Sequence, residues 1–402
     1  ELEEPLEPSE PAVVGMVTTT REVLLRYSDG FADWERPQHI EGALPNVTAG
    51  DRLLSLPSYR PRLRLDGVDV SLSGATQIEV LPGSASDGID LSNAEAVKTA
   101  KVKLVFGRLI LANTGSEPAT IELAVGGVDG AIEMGRGSVL TVEARRPFQA
   151  GVDPTLGEAP LVATYYTPQG GFRWLLEQGD VIANERSAWS QLGEQIGPAP
   201  PDEAQVEWLD GEGLSVLQSR AAAELERKLE PAEPIWPQLA ELYDVRRVEE
   251  QAQVAICSMY VGHYDPFIKA LSDQGQQQYW SREIEAIRAT MSGSPELAKA
   301  VRAALIDFRG EEYAADLYRM LCGFSTGEIG QSVADQQRGV LVELIDWLES
   351  DQLDFRVLAN HNLEQITNRR VYNPAASPDR RRRTVAVFRD RLADGELVRP
   401  DR

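Results

Sequence analysis

The stretch PRLRLDGVDVSLSGATQIEV, residues 61–80, decides the fold of the first half of the chain. Leu63 and Leu65 alternate with Arg62 and Arg64, and Val68, Val70 and Leu72 alternate with Asp69, Ser71 and Ser73. A period of two places the apolar side chains on one face of an extended strand and the polar ones on the other. Asp66-Gly67 between the runs is the pair that a two-residue hairpin turn needs, because the turn takes positive φ and glycine tolerates it. The stretch therefore predicts a hairpin with one buried face.

The same alternation returns in KVKLVFGRLIL (101–111), TIELAV (120–125), SVLTVEA (138–144) and FRWLLEQGDVIA (172–183). Many short strands with frequent turns predict an all-β domain over residues 16–195, built as a sandwich, a barrel or a short β-solenoid. At IGPAPPDEAQ (196–205), Pro198, Pro200 and Pro201 interrupt regular structure, and residues 196–212 are expected to form a linker. Beyond it the apolar spacing becomes helical, with Leu214, Leu217, Ala221, Leu225 and Leu229 recurring at intervals of three and four. Helices broken near EPAEP, HYDP, SGSP, FRGE, FSTGE and YNPAASP make residues 213–402 an all-α domain. The expected fold class is thus multi-domain α and β.

A length of 402 residues exceeds the roughly 250–300 at which single cores stop growing, in keeping with more than one domain. With 42% hydrophobic residues, the chain is too apolar for wholesale disorder. Its 63 acidic against 40 basic residues, a net charge of -23, repel phosphate backbones and argue against nucleic acid as a partner. No run approaches the roughly 20 apolar residues of a membrane span. The opening ELEEPLEPSEPAV mixes Glu with Pro and reads as an extended acidic linker over residues 1–15. Because the chain starts at Glu1, an anchoring segment is expected ahead of it, the only route by which a membrane enters this reading.

Residues 344–366, LIDWLESDQLDFRVLANHNLEQI, form a helix bearing Leu344, Ile345 and Leu348, a polar turn, and a second helix bearing Phe355, Leu358, Ala359, Leu363 and Ile366. This pair, expected over 338–370, resembles a HEAT-type repeat. The resemblance gives Ala359 the role of admitting the paired helix closely and Asp354 that of capping the second helix.

In the β half, GDRLLSLPSYRPRLRLDGVDVSLSGATQIEVL (50–81), KLVFGRLILAN (103–113) and GGFRWLLEQGDV (170–181) follow a turn-and-strand order that resembles the bacterial FecR-type domain over roughly residues 20–190. The resemblance implies an all-β extracytoplasmic sensory or scaffolding module that works through protein contacts, tethered beyond a single membrane-spanning helix. The helical domain replaces the small signalling subdomain of the iron-transport regulators, so iron signalling is not carried over.

Catalytic patterns resolve into structural ones. GFSTG (323–327) matches the G-x-S-x-G of a hydrolase elbow, with Asp346 and His361 following Ser325 in order. The elbow needs a strand before the serine, whereas EEYAADLYRMLC is helical, and Ser325 with Glu328 forms a capping box for the next helix. The glycines of GGVDGAIEMGRGSVL (126–140) precede a strand, where a phosphate loop requires a helix N-terminus. SDGIDLSN (86–93) lacks EF-hand spacing. Asn46-Val47-Thr48 is a formal glycosylation sequon. Cys257 and Cys322 are read as buried thiols, with a disulfide as the other reading. His39, His263 and His361 are too dispersed for a zinc site. Trp174 and Trp280 are candidates for exposed, ligand-stacking aromatics.

Arg380 to Arg383 follow Ser377-Pro378-Asp379, a helix start with Ser as N-cap and Pro where its missing N–H costs nothing. Val385, Phe388 and Leu392 give that helix an apolar stripe, and four successive arginines sweep about 300° around its first turn. Two roles are expected of the run: a clasp onto Asp346, Glu349, Asp351 and Asp354, or a site for an acidic partner. The candidate partner-binding residues are Arg369, Arg370, Arg381 and Arg382. The chain as a whole is expected to be a non-enzymatic extracytoplasmic signalling or scaffold protein with protein partners, acidic ones among them, and no cofactor. The competing readings are a carbohydrate-binding or hydrolytic enzyme with a helical accessory domain, and a structural component of an envelope assembly.

Overall fold

The computed structural model describes residues 12–38, 42–83, 100–177, 179–200, 207–209, 211, 213–245 and 247–398. The chain divides into two compact units, Glu1–Arg145 with Pro160–Gln238, and Arg146–Ala159 with Leu239–Arg402.

The first unit holds the strands β1 (Val13–Val17), β2 (Leu24–Ser28), β3 (Asp33–Glu35), β4 (Asn46–Thr48), β5 (Arg52–Ser55), β6 (Arg62–Leu65), β7 (Val68–Pro82) and β8 (Ala100–Ala112). They are followed by β9 (Ala119–Val125), β10 (Val128–Met134), β11 (Val139–Arg145), β12 (Val162–Gln169), β13 (Phe172–Leu176), β14 (Val181–Ala183), β15 (Ala188–Leu192) and β16 (Gln195–Ala199). The hairpin read from residues 61–80 is β6–β7, with Leu65 opposite Val68 and with Asp66 at φ 46° and Gly67 at φ 81°.

Strands β7 and β8 pair antiparallel along their length, with an irregularity between Ser73 and Gln77 where their outer partners change. Before it, β7 pairs with β6 and the end of β8 pairs with β11; after it, β7 pairs with β5 and the start of β8 pairs in parallel with β9. The sixteen strands form one hydrogen-bonded network that branches at this ribbon, and its two halves, the sheets β4-β1-β6-β7-β8-β11-β12-β15-β16 and β3-β2-β5-β7-β8-β9-β10-β13-β14, share β7 and β8. Irregular pairing of this kind bends a strand, which lets one ribbon turn the corner between sheets. Thr76 secures the bend: its hydroxyl donates to the Ser73 carbonyl at 2.9 Å and accepts the Arg108 N–H at 2.9 Å. Leu63, Val70 and Leu72 from one sheet and Leu53, Val80 and Leu123 from the other are fully buried in one cluster. A shared core between largely antiparallel sheets is a sandwich-type arrangement, not the parallel stacking of a solenoid.

The helices are α1 (Val216–Lys228), α2 (Ile235–Tyr243), α3 (Val248–Tyr260), α4 (Asp265–Leu271), α5 (Trp280–Gly293) and α6 (Pro295–Arg309). Then come α7 (Glu311–Cys322), α8 (Thr326–Ile329), α9 (Val333–Gln336), α10 (Val340–Trp347), α11 (Leu353–Thr367) and α12 (Pro378–Ala393). Residues 196–199, read as the start of a linker, pair with β15 as part of β16. Helix α1 belongs to the first unit: it buries Ala221, Ala222 and Leu225, the Tyr59 hydroxyl donates to its Ala222 carbonyl at 2.7 Å, and Arg36 donates to the Glu226 and Leu229 carbonyls at its C-terminal end. The change of composition and the division between units thus fall at different residues. The second unit takes in residues 146–159, a strap between β11 and β12 whose base is closed by an Arg146–Glu158 ion pair at 2.7 Å. No helix among the described residues is long and apolar enough to cross a membrane.

Candidate functional site

Helix α12 starts where the sequence places it, with Ser377 at the N-cap and Pro378 in the first turn, although the Ser377 side chain makes no capping bond. Val385, Phe388 and Leu392 are buried against the helical core, which fixes the outward face of the helix. Arg380, Arg382 and Arg383 are exposed. Arg382 pairs with Asp379 one turn back at 2.7 Å, and among the described residues Arg380 and Arg383 make no ion pair. Arg381 is half-buried and donates to the Ala376 carbonyl at 3.4 Å, leaving its buried Nε without a partner.

The clasp is made by a residue outside the run. Arg389, two turns further on, reaches Asp346 at 2.9 Å and Glu349 at 2.6 Å. Arg389 directly follows buried Phe388 on α12, which packs against α10 and so brings Arg389 to the acids there. Asp354 is likewise taken, being buried and 3.0 Å from Arg309 Nε, with its Oδ1 accepting the Phe355 N–H at 2.9 Å. It sits inside the first turn of α11 and the N-cap is Gln352.

Arg369 and Arg370 lie elsewhere. The Arg369 guanidinium donates to the Glu396 carbonyl at 3.2 Å, and the Glu396 N–H returns to the Arg391 carbonyl. Arg381 and Arg391 lie ten positions apart on α12, about 15 Å along the axis. The four candidate arginines therefore form two groups, Arg381 with Arg382 at the start of α12 and Arg369 with Arg370 near its end.

Ser325 is the N-cap of α8: its hydroxyl accepts the Glu328 N–H, and the Glu328 carboxylate accepts the Ser325 N–H at 2.8 Å, completing the capping box. His361 is buried on α11, and burial together with the Arg288 charge pushes its pKa down to about 3, so it is neutral at physiological pH. Cys257 and Cys322 are free buried thiols, each pushed up to about 12 chiefly by burial. Trp174 and Trp280 correct the expectation of exposed aromatics: both are buried, and the Trp280 indole donates to the Ala270 carbonyl. Asn46 is exposed on β4, while SDGIDLSN and His39 lie outside the described residues. No group of three or more His, Cys, Asp or Glu side chains able to hold a metal occurs among the described residues.

A second concentration of polar groups surrounds the strap, within the second unit. The Tyr318 hydroxyl donates to Asp153 at 3.0 Å, the Gly151 N–H donates to the Cys322 carbonyl at 2.9 Å, and Arg288 lies over the Phe148 ring at 4.7 Å. Arg288 also donates to the Met320 and Leu321 carbonyls and to Asn362, closing the C-terminal end of α7. Nothing in the local sequence of residues 146–159 signals this placement, because the contacts come from helices more than 100 residues away.

The described residues thus define a protein with a sheet-rich unit and a helical unit. Comparison with known proteins returns no matching family, no matching curated protein and no matching solved structure.

Proposed function

We propose that the chain is a non-enzymatic extracytoplasmic signalling or scaffold protein that acts through protein–protein contacts. The sheet unit is read as a FecR-type module, and α10–α11 as a HEAT-like pair within a binding domain. The observation that carries the reading is the first turn of α12, where Arg380, Arg382 and Arg383 stand exposed in a chain of net charge -23. Cations near a helix N-terminus are unfavourable by about 0.3–1 kcal/mol each; Asp346, Glu349 and Asp354 are engaged by Arg389 and Arg309, and of the three exposed arginines only Arg382 has an ion-pair partner, Asp379, among the described residues. An acidic partner supplies the missing counter-charge, with Arg381 and Arg382 as the contact and Arg369 and Arg370 as a second point of attachment. The test is fluorescence anisotropy with a labelled poly-glutamate peptide. Arg381→Glu with Arg382→Glu should lower affinity at least tenfold while the melting temperature stays within a few degrees. Unchanged affinity would remove the reading, and unfolding would assign the run to structure.

A further inference from the structure

Glu283 lies on α5 with 0% of its surface exposed, and neither carboxylate oxygen has a hydrogen-bond partner among the described residues. A carboxylate in that position forfeits hydration without compensation, which is among the most costly arrangements a core can hold. Helix α5 packs against α3, α4, α6 and α7, so the acid sits under much of the helical unit.

Few charged groups bear on it. Arg282, its neighbour on α5, favours the charged form, and Asp273 opposes it. Tyr243 at the end of α2 and Tyr279 just ahead of α5 both respond to Glu283, and Glu249 of α3 acts on Tyr279. Lys269 of α4 is turned to the Tyr243 ring at 5.9 Å. The buried residues of α6 are Ala298, Val301 and Leu305, while Tyr318 and Cys322 of α7 are engaged around Asp153. Asp273 itself is occupied in accepting the Gly275 N–H at 2.8 Å.

We propose that Glu283 is a proton-controlled device in the helical unit: the unit closes around the neutral carboxylic acid, and loss of that proton loosens α5 from α3 and its other neighbours. Burial raises the carboxyl to about 8, so the acid is largely neutral at pH 7. An ordinary carboxyl in the unfolded chain titrates near 4.5. The folded state therefore holds one more proton than the unfolded state between about 4.5 and 8, and stability falls with rising pH across that window before levelling above it. Because α5 also carries Arg288, which closes the end of α7 and holds Asn362 of α11, loosening would spread to those helices.

The experiment is amide hydrogen exchange of the α3 and α5 peptides from pH 6.5 to 9, divided by the intrinsic rate, on the whole chain and on Glu283→Gln. Protection in the native chain should fall by up to tenfold per pH unit up to about 8 and then level. Glu283→Gln, which keeps shape and cannot ionise, should abolish that fall. The same pH dependence in both proteins would overturn the proposal. Should Glu283→Gln fail to fold, the infrared band of a protonated carboxyl in the native chain at pH 7 decides: a band that titrates near pH 8 upholds the device, and its absence overturns it.

Discussion

Arg288 shows how much one buried side chain can organise. Its Nε donates to the Leu321 carbonyl at 2.9 Å, and one terminal nitrogen serves both the Met320 carbonyl at 3.0 Å and Asn362 at 2.9 Å. Burial holds its pKa down at about 10, so it remains charged at pH 7. Arg288→Met keeps the packing but takes the donor from the Leu321 carbonyl and from the Asn362 side-chain oxygen, while the Met320 carbonyl still accepts from the Asn362 amide, and should lower the unfolding free energy by about 2–4 kcal/mol in a denaturant titration. His361, under the same charge, supplies a pH limb of opposite sign to that of Glu283. Its folded pKa of about 3 lies below the ordinary 6.5, so its contribution is present above 6.5 and is lost as pH falls toward 3. With Glu283 losing stability from about 4.5 to 8, these two groups alone give a plateau near pH 4.5–6.5. His361→Gln should flatten the acid side of a stability profile recorded by circular dichroism, and leave the alkaline side as it was. The burial of neither group could be read from the sequence, because a lone Glu in a helix and a lone His on a helix look the same whether buried or exposed.

Local chemistry fixes many elements, and those were legible. Asp66-Gly67 makes the β6–β7 turn, Ser325 and Glu328 make the capping box, and Pro378 opens α12, each because the deciding interaction spans only a few residues. Ser325→Ala should therefore cost about 1 kcal/mol in thermal unfolding, a capping effect confined to the helical unit. The β7–β8 corner and the strap were not legible, since their geometry depends on which distant strands and helices lie alongside. Gly151 shows the constraint on the strap: it adopts φ 79°, and a Cβ there would lie 2.2 Å from the Ser325 nitrogen. Gly151→Ala should displace the strap and raise the protease sensitivity of residues 146–159, measured by cleavage rate against the native chain. The arginine run was legible as a helix start but not in its pairing, which fell to Arg389 because buried Phe388 sets the rotation of α12.

On the scale of the molecule, the chain is acidic throughout its composition, and the exposed basic residues of α12 stand out against that background. Long-range electrostatics favour an acidic partner reaching such a patch only at short range, since the surrounding negative charge repels it at a distance. The association should therefore be weakened by added salt at the arginines, while salt also screens the general repulsion. The two arginine groups can be told apart by charge reversal. The most direct measurement is anisotropy of a labelled poly-glutamate peptide on three proteins: the native chain, Arg380→Glu with Arg382→Glu and Arg383→Glu, and Arg369→Glu with Arg370→Glu. Loss of at least tenfold in affinity in the first variant and a smaller loss in the second is the predicted result; equal binding by all three would contradict a partner site at the start of α12.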